Sequence, residues 1–203
     1  MKAIIPILVI SFLTGPVLNG QKEKGNTTNV IRWVIQPQSN LQINGKSNVN
    51  TFQCGITEFL HTDTLVYTHN DPGQQAAKLK GTVVIDINRF DCGHKYITSD
   101  LRKTLKADEN PNLLIRFVSM DKFIQGQGTQ PIKGIVEIEL AGVKKQYEVS
   151  YVLQNHNTSQ VQLMGSRTIL FSDFNLKPPS RLAGLIKVAE EITVQFQLML
   201  KTL

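Results

Sequence analysis

Period-two alternation of apolar and polar residues runs through most of this chain. Ile192, Val194, Phe196, Leu198 and Leu200 fall on one face of a C-terminal segment, opposite Thr193, Gln195, Gln197 and Lys201. Leu79, Gly81, Val83, Ile85 and Ile87 repeat the pattern, as do Ile132, Gly134, Val136, Ile138 and Leu140. Such segments are strands with one face toward a core and one toward water. Further strands are expected at residues 30–36, 40–45, 49–57, 65–69, 113–123, 146–153 and 159–171. Ala141-Gly142-Val143-Lys144 reads as a tight connection between two of them, hence a hairpin. Many short strands linked by Gly and Asn point to an antiparallel barrel or sandwich.

One helix interrupts the strands. Thr98 or Ser99 is expected to cap it, with Asp100 in its first turn and Lys103 and Lys106 near its end. Leu101 and Leu105 give it one apolar stripe, and Asn110-Pro111 stops it. So short a helix must pack on the sheet to persist. Leu113-Leu114-Ile115 and Leu182-Ala183-Gly184-Leu185-Ile186 are apolar where alternation or a polar loop is expected. They read as ordinary core or as the lining of a cavity mouth.

The N-terminus departs from this pattern. Lys2, an apolar run from Ala3 to Leu13 and a small-residue exit ending at Gly20 form the parts of a secretory signal peptide, cleaved near Gly20 or Gln21. The run is too short for a transmembrane helix, which needs ~20 residues. The expected organisation is a leader over 1–20, a polar lead-in over 21–29 and one domain over 30–203. About 180 residues remain after cleavage, enough for a substantial core, and the destination is the periplasm or the exterior.

The chain carries 22 Lys and Arg against 16 Asp and Glu, a formal charge of +6. Loss of Lys2 leaves 21 against 16, or +5. The basic residues are dispersed and interleave with few aromatics, so no nucleic-acid surface is visible. The excess suits a solvated surface or transient contact with anionic lipid headgroups or cell-wall polymers. Cys54 and Cys92 form an even pair in an oxidising compartment and are expected to be disulfide-bonded. His94 lies two positions beyond Cys92, but one Cys and one His are too few for zinc, and no metal or cofactor is expected.

Several motifs resemble the YceI-like family. Arg89-Phe90-Asp91-Cys92-Gly93 leads into the helix, followed by Ala107-Asp108-Glu109-Asn110-Pro111 and a strand reaching Phe117. Gly142-Val143-Lys144-Lys145, Ser172-Asp173-Phe174-Asn175-Leu176, Ala189-Glu190-Glu191-Ile192 and Trp33 resemble further family segments in order and spacing. The resemblance covers essentially all of residues 30–200. It implies an all-β, lipocalin-like antiparallel barrel of about eight strands with one short helix near the mouth. It also implies an exported carrier for a long apolar molecule such as a polyisoprenoid. A barrel of this size has room for packed side chains or one small ligand.

The chain departs from the family at particular places. Gly45-Lys46-Ser47 stands where better-known members carry a His. Ile97-Thr98-Ser99-Asp100 replaces Arg-Asp-x-His, Phe171 replaces an Arg before the Ser-Asp-Phe, and Asn175 replaces a Gly. Polar positions able to address a ligand head group are thus missing, which marks a divergent, disulfide-bearing branch whose ligand can differ or be absent.

Catalytic patterns are not found. There is no Gly-x-Ser-x-Gly elbow, no phosphate loop and no His-Glu-x-x-His. The carboxylate pairs Asp108-Glu109 and Glu190-Glu191 flank structural transitions. The chain is therefore read as a binder of an apolar or amphiphilic molecule (a polyisoprenoid, quinone or fatty-acid derivative) rather than as an enzyme. Phe52, Phe117, Val136, Ile138, Tyr151, Phe174, Leu185 and Phe196 are the expected inward-facing lining. Arg116 or Arg167 would meet an anionic head group only if it points inward. The alternative is an envelope-stress or protein-interaction module with a filled barrel and no ligand.

Overall fold

A computed structural model describes residues 29–56, 59, 63–69, 76–126, 128–157 and 159–203. The leader and most of the lead-in lie outside the described residues. Among the described residues twelve strands form in chain order: β1 (Asn29–Ile35), β2 (Asn40–Lys46), β3 (Thr51–Ile56), β4 (Thr64–His69), β5 (Ala76–Asp86) and β6 (Asn112–Asp121) come first. They are followed by β7 (Thr129–Leu140), β8 (Val143–Asn155), β9 (Gln160–Leu170), β10 (Ser180–Arg181), β11 (Ile186–Lys187) and β12 (Glu191–Thr202). One α-helix, α1 (Lys95–Thr104), stands between β5 and β6.

The sheet closes through antiparallel pairs in the order β1-β4-β5-β6-β7-β8-β9-β12, and β12 returns to β1 through Trp33↔Thr202 and Ile35↔Leu200. Eight strands therefore form a barrel, one of the two architectures the alternation allows and the one the family resemblance implies. The β2–β3 hairpin is an extension. Because β1 occupies only the C-terminal end of β12, β2 pairs with the rest of that edge from Thr193↔Asn44 to Gln197↔Asn40. Bulges in the β5–β6 and β6–β7 ladders, between Lys78 and Gly81 and between Phe117 and Ser119, add the local bend that closure needs. The expected hairpin is present: Ala141 and Gly142, at φ 50° and 78°, make a two-residue turn that places Leu140 opposite Val143. Positive φ at both turn residues is the geometry whose twist matches paired strands.

Inward-facing residues fill the barrel. Trp33, Tyr67 and Phe123 stack with centroid separations of 4.9 to 5.8 Å at the end away from α1. Nearer the middle, Phe196 meets Tyr151 edge-on at 5.7 Å. These two rings fit because the strands beside them carry glycine. A Cβ on Gly165 would lie 2.3 Å from the Phe196 ring, and one on Gly134 would lie 2.8 Å from the Tyr151 ring.

The helix begins earlier than expected. His94 is its cap, with Nδ1 accepting from the Tyr96 N–H at 3.3 Å. Thr98 sits inside the helix, where its hydroxyl accepts from the Cys92 N–H at 3.0 Å. That demand from the preceding segment explains why a good capping residue is not the cap. The expected stripe is correct, since Leu101 and Leu105 are both buried. The helix ends before Asn110-Pro111, at a left-handed Lys106. Cys54 and Cys92 are disulfide-bonded, 38 positions apart, and join β3 to the segment leading into α1.

Candidate functional site

Two apolar spaces are associated with the barrel, and they differ in size. Inside it, Leu41, Val83, Phe117, Val136, Ile138 and Phe196 border a gap of about 40 Å³. That is room for little more than a water or two, among side chains that are apolar apart from Arg167. At the α1 end, a second cavity of about 340 Å³ opens between the helix, the β2–β3 hairpin and the β10–β11 loop. Its size is at the lower end of the range for small-molecule sites.

Each wall of this mouth cavity follows from local sequence. On α1, Ile97, Leu101 and Thr104 fall at spacings of four and three and share the cavity-facing side. From the hairpin come Phe52 and Val49. The hairpin tip is held by Ser47, whose hydroxyl and N–H both engage Asn50 at 2.7 Å. From the loop come Pro179, Leu182, Ile186 and Val188, and the buried Phe171 also contributes.

Polar ties hold the walls together. Asn48 donates to the Leu185 carbonyl at 2.8 Å and accepts from the Lys187 N–H at 2.9 Å, strapping loop to hairpin. The Arg181 guanidinium binds both carboxylate oxygens of Asp100, with Nε to Oδ2 at 2.6 Å, joining loop to helix. It also lies 5.9 Å from the Tyr96 ring centre. Behind the cavity, the disulfide is flanked by paired backbone bonds between Gly55 and Asp91 at 2.8 and 3.0 Å. Two of the three walls are thus fixed covalently near their base, whereas the loop is held only by hydrogen bonds and one ion pair.

The expected lining residues divide between these spaces. Phe117, Val136, Ile138 and Phe196 border the small interior gap. Phe52 lines the mouth, with its ring packed across Gly45. Tyr151 and Phe174 are buried and border neither space. Burial raises the pKa of the Tyr151 phenol, and its hydroxyl has no hydrogen-bond partner among the described residues. The expectation that Leu185 faces inward is corrected: it is 74% exposed. It follows Leu182, Ala183 and Gly184, all at positive φ, so strand alternation does not govern its direction. Its neighbours Leu182 and Ile186 do line the mouth.

Neither arginine reaches a head-group position in the mouth. Arg116 bonds Glu137 at 3.1 Å and Glu139 at 2.7 Å on the outer face. Arg167 occupies an inward register on β9 and borders the small interior gap; the residue is exposed overall, with its guanidinium 5.5 Å from the Tyr147 ring centre. The Tyr147 pKa is raised by burial and by its hydroxyl donating to Asp173 at 2.8 Å. Among the described residues no group of three or more His, Cys, Asp or Glu could hold a metal ion.

Reading the sequence in segments missed most of the mouth. Its walls come from residues 47–52, 94–104 and 171–188, which are brought together only by the fold. One signal was available. Ser47, Ile97, Asp100 and Phe171 belong to the three places where the chain departs from the family pattern at polar positions, and all four line this cavity.

The family model for the YceI-like domain matches residues 33–200. Comparison with curated proteins gives no match. Among solved structures, a polyisoprenoid-binding domain from Saccharophagus degradans implicated in plant cell wall breakdown superposes with a TM-score of 0.59 at 14% identity. The match covers 85% of this chain and 99% of that one. BcnA of Burkholderia cenocepacia superposes at 0.57 with 19% identity, over 79% of this chain and 95% of that one. The Campylobacter jejuni YceI protein superposes at 0.51 with 16% identity, over 77% and 84%. At these identities the structures establish a shared fold, and the family match spans nearly the whole described barrel. The chain belongs to the YceI-like family.

Proposed function

We propose that this protein is an exported carrier of an apolar or amphiphilic molecule, seated first in the mouth cavity rather than in the barrel interior. The observation that carries this reading is the contrast in free space, about 340 Å³ at the mouth against about 40 Å³ inside. Burial of a ligand's chain against Phe52, Ile97, Leu101 and Phe171 supplies the driving force, ~25 cal/mol per Å² of apolar area removed from water. The polyisoprenoid-binding relative supports an isoprenoid-type ligand, with Ile97 and Phe171 against its chain and the paired Asp100 and Arg181 as the polar groups of the same cavity. The leader and the disulfide support export.

The second reading is an interaction module without a ligand, favoured by the filled interior. Native purification followed by solvent extraction and mass spectrometry separates the two. The carrier reading expects a stoichiometric isoprenoid, quinone or fatty-acid derivative. A clean extract, with no retention of added isoprenoids, leaves the module reading.

A further inference from the structure

The rim of the mouth cavity exposes large apolar side chains on three separate elements. Val49 on the hairpin tip is 62% exposed, Tyr96 on α1 65%, and Leu182 and Leu185 on the loop 67% and 74%. The first three line the cavity edge, and Leu185 is held beside Val49 by the bond from Asn48 to its carbonyl. Apolar residues this exposed, grouped at one end of a molecule, mark a contact surface.

Charge identifies the partner. Segments 46–52, 94–104 and 171–188 hold Lys46, Lys95, Arg102, Lys103, Lys177, Arg181 and Lys187 against Asp100 and Asp173, so 7 − 2 gives +5. The whole chain is 22 − 16, or +6, and the remainder is nearly balanced at 15 against 14. Asp100 is neutralised by Arg181, whereas Asp173 and the flanking Asp91 and Glu190 accept hydrogen bonds from Tyr147, Gly93 and Ser172 and keep their charge, so the basic excess rests on the exposed lysines. Lys46, Lys95, Lys177 and Lys187 are exposed. Arg102 is spent on the Phe90 carbonyl at 3.0 Å.

We infer that this rim docks on an anionic lipid bilayer, with Leu182, Leu185, Val49 and Tyr96 entering the interface and the surrounding lysines meeting the headgroups. Apolar side chains amid basic ones are what an interfacial site requires, since each contribution alone is weak. Docking in this orientation sets the cavity opening against the membrane, where an apolar molecule exchanges without crossing water. An acidic protein would satisfy the lysines but leave the exposed apolar side chains of three elements, Val49, Tyr96 and the loop leucines, without a common apolar surface. The inference goes beyond ligand binding and is measured separately from it.

The test is sedimentation of the purified protein with vesicles of phosphatidylcholine alone, or with roughly one-third phosphatidylglycerol. Binding is expected to the anionic vesicles, weakening as salt is raised, with little to the neutral ones. Lys95→Glu/Lys187→Glu is expected to weaken it by at least ~20-fold, since each lysine near such a surface contributes a factor of about five. Leu185→Ser is expected to weaken it about tenfold. Both variants change exposed side chains outside the cavity lining, so an unaltered melting temperature and retained co-purified lipid are the controls for fold and cavity. No binding to either vesicle, equal binding to both, or wild-type binding by both variants overturns the inference. An acidic protein as the true partner falls under the first of these outcomes.

Discussion

The barrel body and its mouth are built from similar apolar residues but held in different ways. In the body, eight strands close a continuous ladder around Trp33, Tyr67, Tyr151 and Phe196, leaving about 40 Å³ empty. At the mouth, three segments from distant parts of the chain surround about 340 Å³ and meet through side-chain ties. The body places a large free energy in packing, and a mouth left open has correspondingly little of its own. Substitutions in the body should therefore cost stability, and substitutions in the mouth should cost ligand.

The sharpest way to break that contrast is Trp33→Ala. Trp33 is 1% exposed and touches two other rings, so its loss should destabilise by ~3–5 kcal/mol, read as a shift in urea midpoint at constant slope. A cost under ~1 kcal/mol would mean the interior is loosely packed and free to admit a ligand. Next is the disulfide, which belongs to both regions. Replacing Cys54 and Cys92 together by Ala should cost ~4 kcal/mol on the chain-entropy account of the 38-residue separation. Ligand should be lost as well, because the wall between β3 and α1 loosens.

Ile97→Asp reverses the balance. Ile97 is half-buried at the mouth, so stability should fall by about 1 kcal/mol while retention of apolar ligand drops roughly tenfold or more. Tyr151→Phe should be neutral or slightly stabilising in thermal melts, because it removes a buried hydroxyl with no partner among the described residues. Loss of about 1 kcal/mol there would reveal a partner for that hydroxyl.

The smallest effect is on pH. The hydrogen bond from Arg116 holds the Glu139 carboxyl below its usual range, and Lys133 does the same for Glu148. A carboxylate with a depressed folded pKa stabilises above its unfolded value and loses that contribution as pH falls through the folded one. Stability should therefore decline between about pH 5 and pH 3, less steeply in Arg116→Gln. Urea midpoints across that range measure it, and an identical slope in the variant would show that the Arg116 pairs contribute nothing.

The same contrast governs what the sequence discloses. Alternation along β5, β7 and β12 predicts the inward residues of the body, because a strand's period assigns every side chain to a face. Ala141-Gly142 predicts its hairpin for an equally local reason. The helix start escapes because His94, not Thr98, supplies the cap while Thr98 serves the Cys92 N–H. Leu185 escapes because three successive positive-φ residues redirect the chain where no period applies. The mouth itself depends on β2 pairing along β12 beside β1, a long-range arrangement that no local pattern specifies.

The central claim is that an apolar ligand rests in the mouth rather than in the barrel. Photo-crosslinking with a diazirine-bearing isoprenoid, followed by peptide mapping, tests it most directly. Labels on segments 47–52, 94–104 and 179–188 are the predicted result. Labels confined to the inward faces of β7, β8 and β12, at positions such as Val136, Tyr151 and Phe196, would contradict it.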